Sequence, residues 1–150
     1  MTNKKLFNLS KKVIVITGAA GFLGQIYSDA IIKQGGFPIM LDINYKALKQ
    51  FKNKNNDKCD IFKCDITNEA NVKKISKEII RKHKNLDALI NNAANNPKVE
   101  NKKQKKFTRL EDFSIKEWDK DIAVNLTGAF LTTKYFGLLI SKNKKGGVII

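Results

Sequence analysis

A run of β-branched residues that ends in a glycine-rich turn restricts the fold of this chain more than any other feature. Residues Val13 to Ile16 predict a strand buried on both faces, as in a parallel sheet. After it comes the turn Thr17-Gly18-Ala19-Ala20-Gly21-Phe22-Leu23-Gly24, and a helix is predicted from Leu23 to Lys33. Glycines let the backbone approach a phosphate group, and the helix directs its N-terminal N–H groups to the same place. Taken alone, the turn is also compatible with an ordinary strand-to-helix connection.

Short apolar segments alternate with helical ones along the rest of the chain. Further strands are predicted at Phe37–Leu41, Asp60–Cys64, Leu86–Ile90 and Gly146–Ile150, and further helices at Asn44–Phe51, from Asn68 onward and at Ser114–Ser141. This alternation is typical of βαβ units with a parallel sheet. The predicted fold class is α/β: a Rossmann-type, doubly wound parallel sheet of about five strands, incomplete at its end.

Composition and charge exclude several classes of protein. Hydrophobic residues make up 42% of the 150 residues, which indicates a globular chain. No apolar run reaches the ~20 residues of a membrane span, and the polar first residues lack a signal core, so a cytoplasmic location and no membrane partner are expected. The net charge of +15 suggests nucleic acid. However, only Arg81 and Arg109 are arginines, and the lysines are spread along the chain, so no nucleic-acid partner is expected.

Neither the two cysteines nor the one histidine is predicted to form a metal or catalytic site. Cys59 and Cys64 stand five residues apart in an extended segment, so their side chains are predicted on opposite faces. This spacing disfavours a disulfide and gives no metal-site pattern, which leaves free thiols and no metal. His83 lies among basic residues and is interpreted as a solvated helix end.

An acid follows the second predicted strand. Asp42 lies 24 positions after Gly18, near the ~20-residue offset of a carboxylate that accepts ribose hydroxyls in dinucleotide sites. A carboxylate repels a 2′-phosphate, and neither Ala20 nor Ile43 is basic, so NAD is favoured over NADP. Asp42 could also serve as a helix N-cap.

Polar residues end the next two strands as well. Asp65 could accept a hydrogen bond from an adenine amino group, or cap the following helix. The run Asn91-Asn92-Ala93-Ala94 lies at the carboxyl end of the fourth strand, where ligands bind in open α/β sheets. Adjacent asparagines need hydrogen-bond partners, which a cofactor or a neighbouring strand loop can supply.

In order and spacing, these residues resemble the landmarks of the short-chain dehydrogenase/reductase family. The resemblance covers essentially the whole chain and rests on Thr17 to Gly24, Asp42, Asp65-Ile66, Asn91 to Ala94 and Asn125. One departure is the middle glycine, because the commonest branch of the family has it where this chain has Phe22. The resemblance implies an NAD-dependent oxidoreductase that acts on an alcohol or carbonyl.

The resemblance also implies roles for particular residues. The glycine turn would line the cofactor diphosphate with Gly18, Gly21, Phe22, Leu23 and Gly24. Asp42 and Ile43 would flank the adenosine ribose, and Asp65 and Ile66 would hold adenine. The nicotinamide-side ribose would lie beside Asn92, Ala93 and Ala94. Asn125 would be catalytic, since in that family its main chain holds a water in a proton relay to a catalytic lysine; otherwise Asn125 is a polar residue on a buried helix face.

The family's catalytic serine and Tyr-x-x-x-Lys pair are expected beyond the fifth strand. Tyr135 is followed four places later by Leu139, and Tyr27 and Tyr45 lie in early helical segments. We therefore expect a C-terminally truncated NAD-binding Rossmann domain over residues 1–150, with no second domain, that binds the cofactor without turnover. A homo-oligomer is expected of a full-length form.

Several substrates and functions stay open at this point. The residues from Asn91 to Glu100 resemble short-chain oxidoreductases found with bacterial surface-sugar and nonulosonic-acid pathways. A long loop, Asn95–Phe113, contains the basic stretch Lys102–Lys106, which suits a phosphorylated or acidic sugar or is simply solvated. The alternatives are a 3-oxoacyl carrier-protein reductase and a non-catalytic dinucleotide-binding module.

Overall fold

A parallel five-stranded sheet organises the computed structural model, which describes residues 7–95 and 110–150. The strands are β1 (Val13–Thr17), β2 (Phe37–Asp42), β3 (Asp60–Lys63), β4 (Ala88–Ile90) and β5 (Val148–Ile149). The helices are α1 (Phe22–Lys33), α2 (Tyr45–Lys54), α3 (Glu69–His83), α4 (Ile115–Ile122) and α5 (Ala129–Ile140). A 3-10 turn, Leu110–Asp112, precedes α4, and a π-helical segment, Ala123–Gly128, joins α4 to α5.

The strand order is β3-β2-β1-β4-β5, and every neighbouring pair is parallel. The chain moves outward from β1 to β3, then returns to the other side of β1 with β4. This reversal is the topological switch point at which open α/β sheets bind ligands, outside the carboxyl ends of the strands. The predicted α/β, Rossmann-type sheet of five strands is confirmed.

Helices cover the sheet on both faces, and each face has its own apolar core. On one face α3 and α5 pack against the sheet, with Leu89 and Phe136 among the buried residues. On the other face α1 and α2 pack, with Ile16 and Met40 buried. Strands β1 and β2 are therefore largely buried from both sides, which explains why their sequences are nearly continuous apolar runs, whereas β5 at the sheet edge is exposed.

The two cysteines belong to different cores, as predicted. Cys59 is buried in the α1–α2 core and Cys64 in the α3–α5 core, and both are free. Burial raises the pKa of the Cys59 thiol to about 11 and that of Cys64 to about 12. Because the thiolate is the reactive form, both cysteines are structural rather than reactive at neutral pH.

The predicted helix Ser114–Ser141 is not regular throughout. Ser114 is its N-cap and accepts the Glu117 N–H at 3.2 Å, but the π-helical segment Ala123–Gly128 interrupts the α-helix in its middle. Two tertiary contacts fall within this segment. Asn125 pairs with the loop after β4, and Gly128 packs so closely under Ile66 that a Cβ on Gly128 would lie 2.6 Å from the Ile66 Cδ1. The apolar spacing carries no signal for either contact.

The interpretation of His83 as a solvated helix end is wrong. Its Nε2 lies 2.6 Å from Asp60 Oδ2, its side chain is 12% exposed, and its ring centroid is 5.3 Å from that of Phe37. The last turn of α3 packs against the first residues of β2 and β3, and this brings the ring under cover. Lys82 donates to the same carboxylate at 2.7 Å.

This cluster predicts a loss of stability in acid. Burial raises the pKa of Asp60, but the hydrogen bonds from Lys82 and His83 outweigh it, so the pKa lies below 3.8. The stabilisation is complete above 3.8 and is lost as the pH falls through the lowered folded value. We expect the free energy of unfolding to fall as the pH drops below about 4, and to fall less steeply in Asp60→Asn. Urea unfolding at each pH measures this, and Asp57→Asn is the control because Asp57 is exposed. Equal pH slopes for the wild type and Asp60→Asn would contradict the prediction.

The last turns of α1, α2 and α3 contain basic residues. They are Lys33 in α1, Lys52 and Lys54 in α2, and Arg81, Lys82 and His83 in α3. Cations are favourable there because the backbone carbonyls give a helix C-terminus a partial negative charge. Part of the net charge of +15 therefore stabilises helix ends. Within residues 7–95 and 110–150, no helix is both long enough and apolar enough to cross a membrane.

Candidate functional site

A cavity of about 920 Å³ opens at the switch point, at the carboxyl ends of β1 to β4. Except for Gly24, all the predicted cofactor-binding residues line it. These are Gly18, Gly21, Phe22, Leu23, Asp42, Ile43, Asp65, Ile66, Asn92, Ala93 and Ala94. The sheet topology brings together four loops that are far apart in sequence.

The glycine turn is shaped by two close backbone contacts. Gly18 has φ +61°, and a Cβ on it would lie 2.7 Å from the Ala93 Cα. Gly24 is buried beneath the turn, where a Cβ would lie 2.5 Å from the Ala19 Cα. Gly24 therefore permits the close packing of α1 under the turn and does not reach the cavity. Gly18 joins the turn to the loop after β4.

The N-terminus of α1 faces the cavity without a neutralising group. Gly21 is the N-cap and makes no side-chain cap, and the first turn has no acidic residue. The Phe22 and Leu23 amides have no carbonyl partner inside the helix, because the first four N–H groups of any helix lack one. Both residues line the cavity. This end of the cavity wall therefore offers N–H donors and the positive end of a helix dipole to an anion.

Thr17 joins the turn to the asparagine pair. Its buried hydroxyl accepts the Asn92 N–H at 3.1 Å and the Ala93 N–H at 3.0 Å. The Asn92 side chain donates back to the carbonyls of Thr17 and Gly18, at 3.0 and 3.1 Å. The sequence left either a cofactor or a neighbouring strand loop as the hydrogen-bond partner of the asparagines. For Asn92 the loop after β1 is such a partner. Asn91 instead bonds helix α5, accepting from Thr132 at 2.6 Å.

Asp42 spans two loops at the end of β2. Its Oδ2 accepts the Ala20 N–H at 3.0 Å and its Oδ1 accepts the Asn44 N–H at 2.8 Å. The N-cap of α2 is Asn44, which accepts from Ala47, so Asp42 is not the helix cap. Each carboxylate oxygen keeps acceptor capacity toward the cavity, since a carboxylate can accept about four hydrogen bonds.

Asp65 and Ile66 follow β3 on the adjoining side of the cavity. Asp65 Oδ1 accepts from both the backbone N–H and the hydroxyl of Thr67, at 2.9 and 2.7 Å. The N-cap of α3 is Asn68, so Asp65 does not cap that helix either. Ile66 is largely buried against Gly128 and presents an apolar surface to the cavity.

Asn125 lies in the π-helical segment and does not itself line the cavity. Its side chain pairs with the backbone of Asn95, accepting the N–H at 2.7 Å and donating to the carbonyl at 3.3 Å. Asn125 is exposed, so the alternative of a polar residue on a buried helix face does not describe it. The basic stretch Lys102–Lys106 and most of the predicted loop lie outside the described residues.

Sequence reasoning missed several contributors to the cavity. The additional lining residues are Ala20, Asn44, Cys64, Thr67, Asn95, Lys120, Ala123 and Val124. Asn44 and Thr67 each lie three residues after a predicted strand end and could have been found from that position. Lys120, Ala123 and Val124 could not, because only the packing of α4 and the π-helical segment brings them to the sheet edge.

Tyr45 and Lys49 have the Tyr-x-x-x-Lys spacing, but on the wrong element. Both belong to α2, where the Lys49 ammonium lies 5.0 Å from the centre of the Tyr45 ring. Neither lines the cavity. The described residues also contain no group of three or more His, Cys, Asp or Glu side chains that could hold a metal ion.

Comparison with known proteins agrees with this architecture. The short chain dehydrogenase family model matches residues 12–150. A short chain dehydrogenase/reductase of Gibberella zeae is 33% identical over 149 residues, covering 97% of this chain and 52% of the relative. An NAD-dependent glycerol dehydrogenase of Listeria innocua is 29% identical over 133 residues, covering 89% and 49%. The chain thus spans about half the length of these curated relatives.

Solved structures give the same result. The crystal structure of an NAD⁺-bound xylitol dehydrogenase superimposes with a TM-score of 0.82 at 26% identity, covering 94% of this chain and 52% of that one. A 3-ketoacyl-(acyl-carrier-protein) reductase from Brucella melitensis complexed with NADH has a TM-score of 0.78 at 24% identity, with 91% and 52% covered, and shows the shared fold. With the family model matching nearly its whole length, the chain belongs to the short chain dehydrogenase family.

Proposed function

We propose that residues 1–150 form the NAD-binding domain of an oxidoreductase that acts on an alcohol or carbonyl group. The observation that carries the proposal is the position of Asp42. Its carboxylate lines the cavity beside the glycine turn. One oxygen accepts the N–H of Ala20 and the other accepts the N–H of Asn44, so the side chain bonds two loops. A carboxylate there accepts ribose hydroxyls and repels a 2′-phosphate, which favours NAD over NADP.

The rest of the cavity fits a dinucleotide part by part. Gly18 leaves its wall without a Cβ, and the uncapped α1 N-terminus presents Phe22 and Leu23 amides where a diphosphate would lie. Asp65 and Ile66 supply an acceptor and an apolar surface for adenine. Asn92, Ala93 and Ala94 lie on the opposite side of β1, where the nicotinamide-side ribose would follow.

NAD, when bound, supplies the hydride acceptor, and the protein must then hold or move a proton at the reacting oxygen. The titratable side chains that line the described cavity are Asp42, Cys64, Asp65 and Lys120. The pKa of Cys64 is raised to about 12 by burial, the two carboxylates belong to the adenosine end, and the Lys120 ammonium is paired with Glu117 at 2.7 Å. We therefore propose that these 150 residues bind the cofactor without turning over a substrate.

Asn125 is proposed in the catalytic role that the family resemblance implies. Its place in a π-helical segment supports this, because π turns inside α-helices occur frequently at functional sites. Its side chain is committed to Asn95, which leaves the main chain of the segment as the part available to a water molecule.

For the substrate we propose a polyol or sugar derivative. Two of the relatives are named for polyols, glycerol and xylitol, and both names specify NAD. None of the relatives named above is described as acting in nonulosonic-acid synthesis, so the proposal stops at the broader class. A cytoplasmic location is proposed with it. Exposed apolar residues on α4, the π-helical segment and α5 support a homo-oligomer of a full-length form; they include Trp118, Leu126 and Phe130.

Replacing Asp42 with alanine tests the cofactor assignment. We expect NADH to bind about 30- to 150-fold more weakly, because hydrogen bonds to a charged acceptor are worth about 2–3 kcal/mol together. Fluorescence titration of NADH measures the dissociation constant in the wild type and the variant. Asp119→Ala is the matched control, since Asp119 is exposed on α4 and does not line the cavity.

The same titration with NADPH tests the choice of cofactor. The wild type should prefer NADH, and Asp42→Ala should narrow that preference because the charge that repels the 2′-phosphate is removed. Equal NADH affinity in the wild type and Asp42→Ala would remove the ribose assignment.

A further inference from the structure

Three hydrogen bonds join the loop after β4 to the helix that passes the cavity. The Asn95 N–H donates to Asn125 Oδ1 at 2.7 Å, and Asn125 Nδ2 donates to the Asn95 carbonyl at 3.3 Å. The Asn95 side chain donates to Asp121 Oδ1 at 2.8 Å. We call these three residues the loop clamp. Within the loop clamp, Asn125 bonds the backbone of Asn95 and Asp121 bonds its side chain.

The loop clamp lies at one end of the cavity. Asn95 lines the cavity directly after Ala93 and Ala94, in the loop that follows β4. The carboxylates Asp42 and Asp65 follow β2 and β3, on the far side of β1. Asp121 lies on α4 and does not line the cavity. Its hydrogen bond to Asn95 connects Asp121 to the cavity lining, so an effect of Asp121 on a ligand should be felt at the β4 end.

We propose that Asp121 is a positioning residue for the nicotinamide half of the cofactor, an inference that rests on the proposed function. Its bond to Asn95 Nδ2 has an ionised acceptor and is the stronger kind of hydrogen bond. Without it, Asn95 keeps only its pairing with Asn125, one arm of which is long at 3.3 Å. The loop that carries Ala93 and Ala94 is then less well ordered where the nicotinamide side would lie.

Two ligands separate this role from a general structural one. ADP fills the adenosine end, whereas NADH fills both ends. In Asp121→Ala we expect NADH to bind about five- to tenfold more weakly, less than the full value of a charge-assisted hydrogen bond because the lost bond acts only through the order of the loop, with ADP affinity unchanged. Asp121→Asn should restore NADH affinity, because an amide oxygen can still accept from Asn95. Asp119→Ala is the control. Asp119 is exposed and lies two residues before Asp121 on α4, so this variant should match the wild type for both ligands.

Amide hydrogen exchange gives a readout without ligand. The Asn95 N–H should exchange faster in Asp121→Ala than in the wild type or Asp121→Asn, while amides in the β1 core should be unchanged. Equal weakening of ADP and NADH, or unchanged NADH affinity in Asp121→Ala, would overturn the inference. If the wild type binds neither ligand, the proposed function fails and the inference about the cofactor fails with it. Normal binding by the wild type with no selective effect in Asp121→Ala overturns the inference alone.

Discussion

Replacing Asp87 with alanine is expected to lower the free energy of unfolding by about 3–5 kcal/mol, because several partly buried donors lose their acceptor at once and each unsatisfied group costs about 1–3 kcal/mol. The carboxylate is 8% exposed and accepts from Lys12 Nζ and the Val13 N–H, both at 2.9 Å. It also accepts from the side chains of Asn85 and Asn143, at 3.1 and 3.2 Å. One side chain thus ties the start of β1 to β4 and to the loop after α5.

Urea unfolding followed by circular dichroism measures the change. Lys12→Met is the matched control, because it removes the cation and leaves the other three donors in place. Since the Lys12 side chain is 43% exposed, its loss should cost only about 1 kcal/mol. If Asp87→Ala unfolds within about 1 kcal/mol of the wild type, water satisfies the donors in place of the carboxylate and the prediction is wrong.

The pH dependence of Asp87 gives a second readout. Burial raises its pKa, but the hydrogen bonds from Lys12 and the Val13 backbone outweigh it, so the pKa lies below 3.8. Its contribution is therefore complete above 3.8 and is lost as the pH falls through the lowered value. The difference in stability between the wild type and Asp87→Ala should shrink in acid.

Replacing Gly18 with alanine is expected to cost about 2–5 kcal/mol of stability and to abolish tight NADH binding. The left-handed backbone at φ +61° accounts for about 1–2 kcal/mol of this. The rest comes from overpacking, about 1–3 kcal/mol, because the new Cβ would lie 2.7 Å from the Ala93 Cα. The neighbour is backbone, so relief requires moving the loop that lines the cavity.

Gly146 provides an unusually close control. It also has a positive φ, +70°, but a Cβ on it would meet no atom within 4 Å. Gly146→Ala should therefore show the conformational cost alone, about 1–2 kcal/mol, with NADH affinity unchanged. If Gly18→Ala is no less stable than Gly146→Ala, the contact with Ala93 does not restrict this turn.

Much of the site could be predicted from the sequence because strand ends are visible in it. The glycine turn, Asp42, Asp65 and the run Asn91 to Ala94 each follow an apolar strand, and in a parallel sheet those ends share one edge. The sequence left Asp42 and Asp65 as possible helix caps. Only the structure excludes that role, because Asn44 and Asn68 are the N-caps of α2 and α3.

Contacts between distant segments could not be predicted in the same way. His83 looked solvated among its basic neighbours, yet Asp60 and Phe37 cover it. Nothing in the sequence around Asp87 indicates that its carboxylate is buried and hydrogen-bonded. Its donors come from three separate parts of the chain. The π-helical segment likewise depends on Asn95 and Ile66, which lie far from it in sequence.

By itself, the sequence determined the α/β class, the order of the strands and helices, and the residues at the strand ends that line the proposed dinucleotide site. Local apolar periodicity and turn chemistry suffice for these, because both are properties of neighbouring residues. Only the tertiary structure decided which polar groups are buried and what satisfies them: Asp87, His83 and the loop clamp. Those interactions depend on long-range packing, and the free energy of burying a polar group is set by partners that are not its neighbours in sequence.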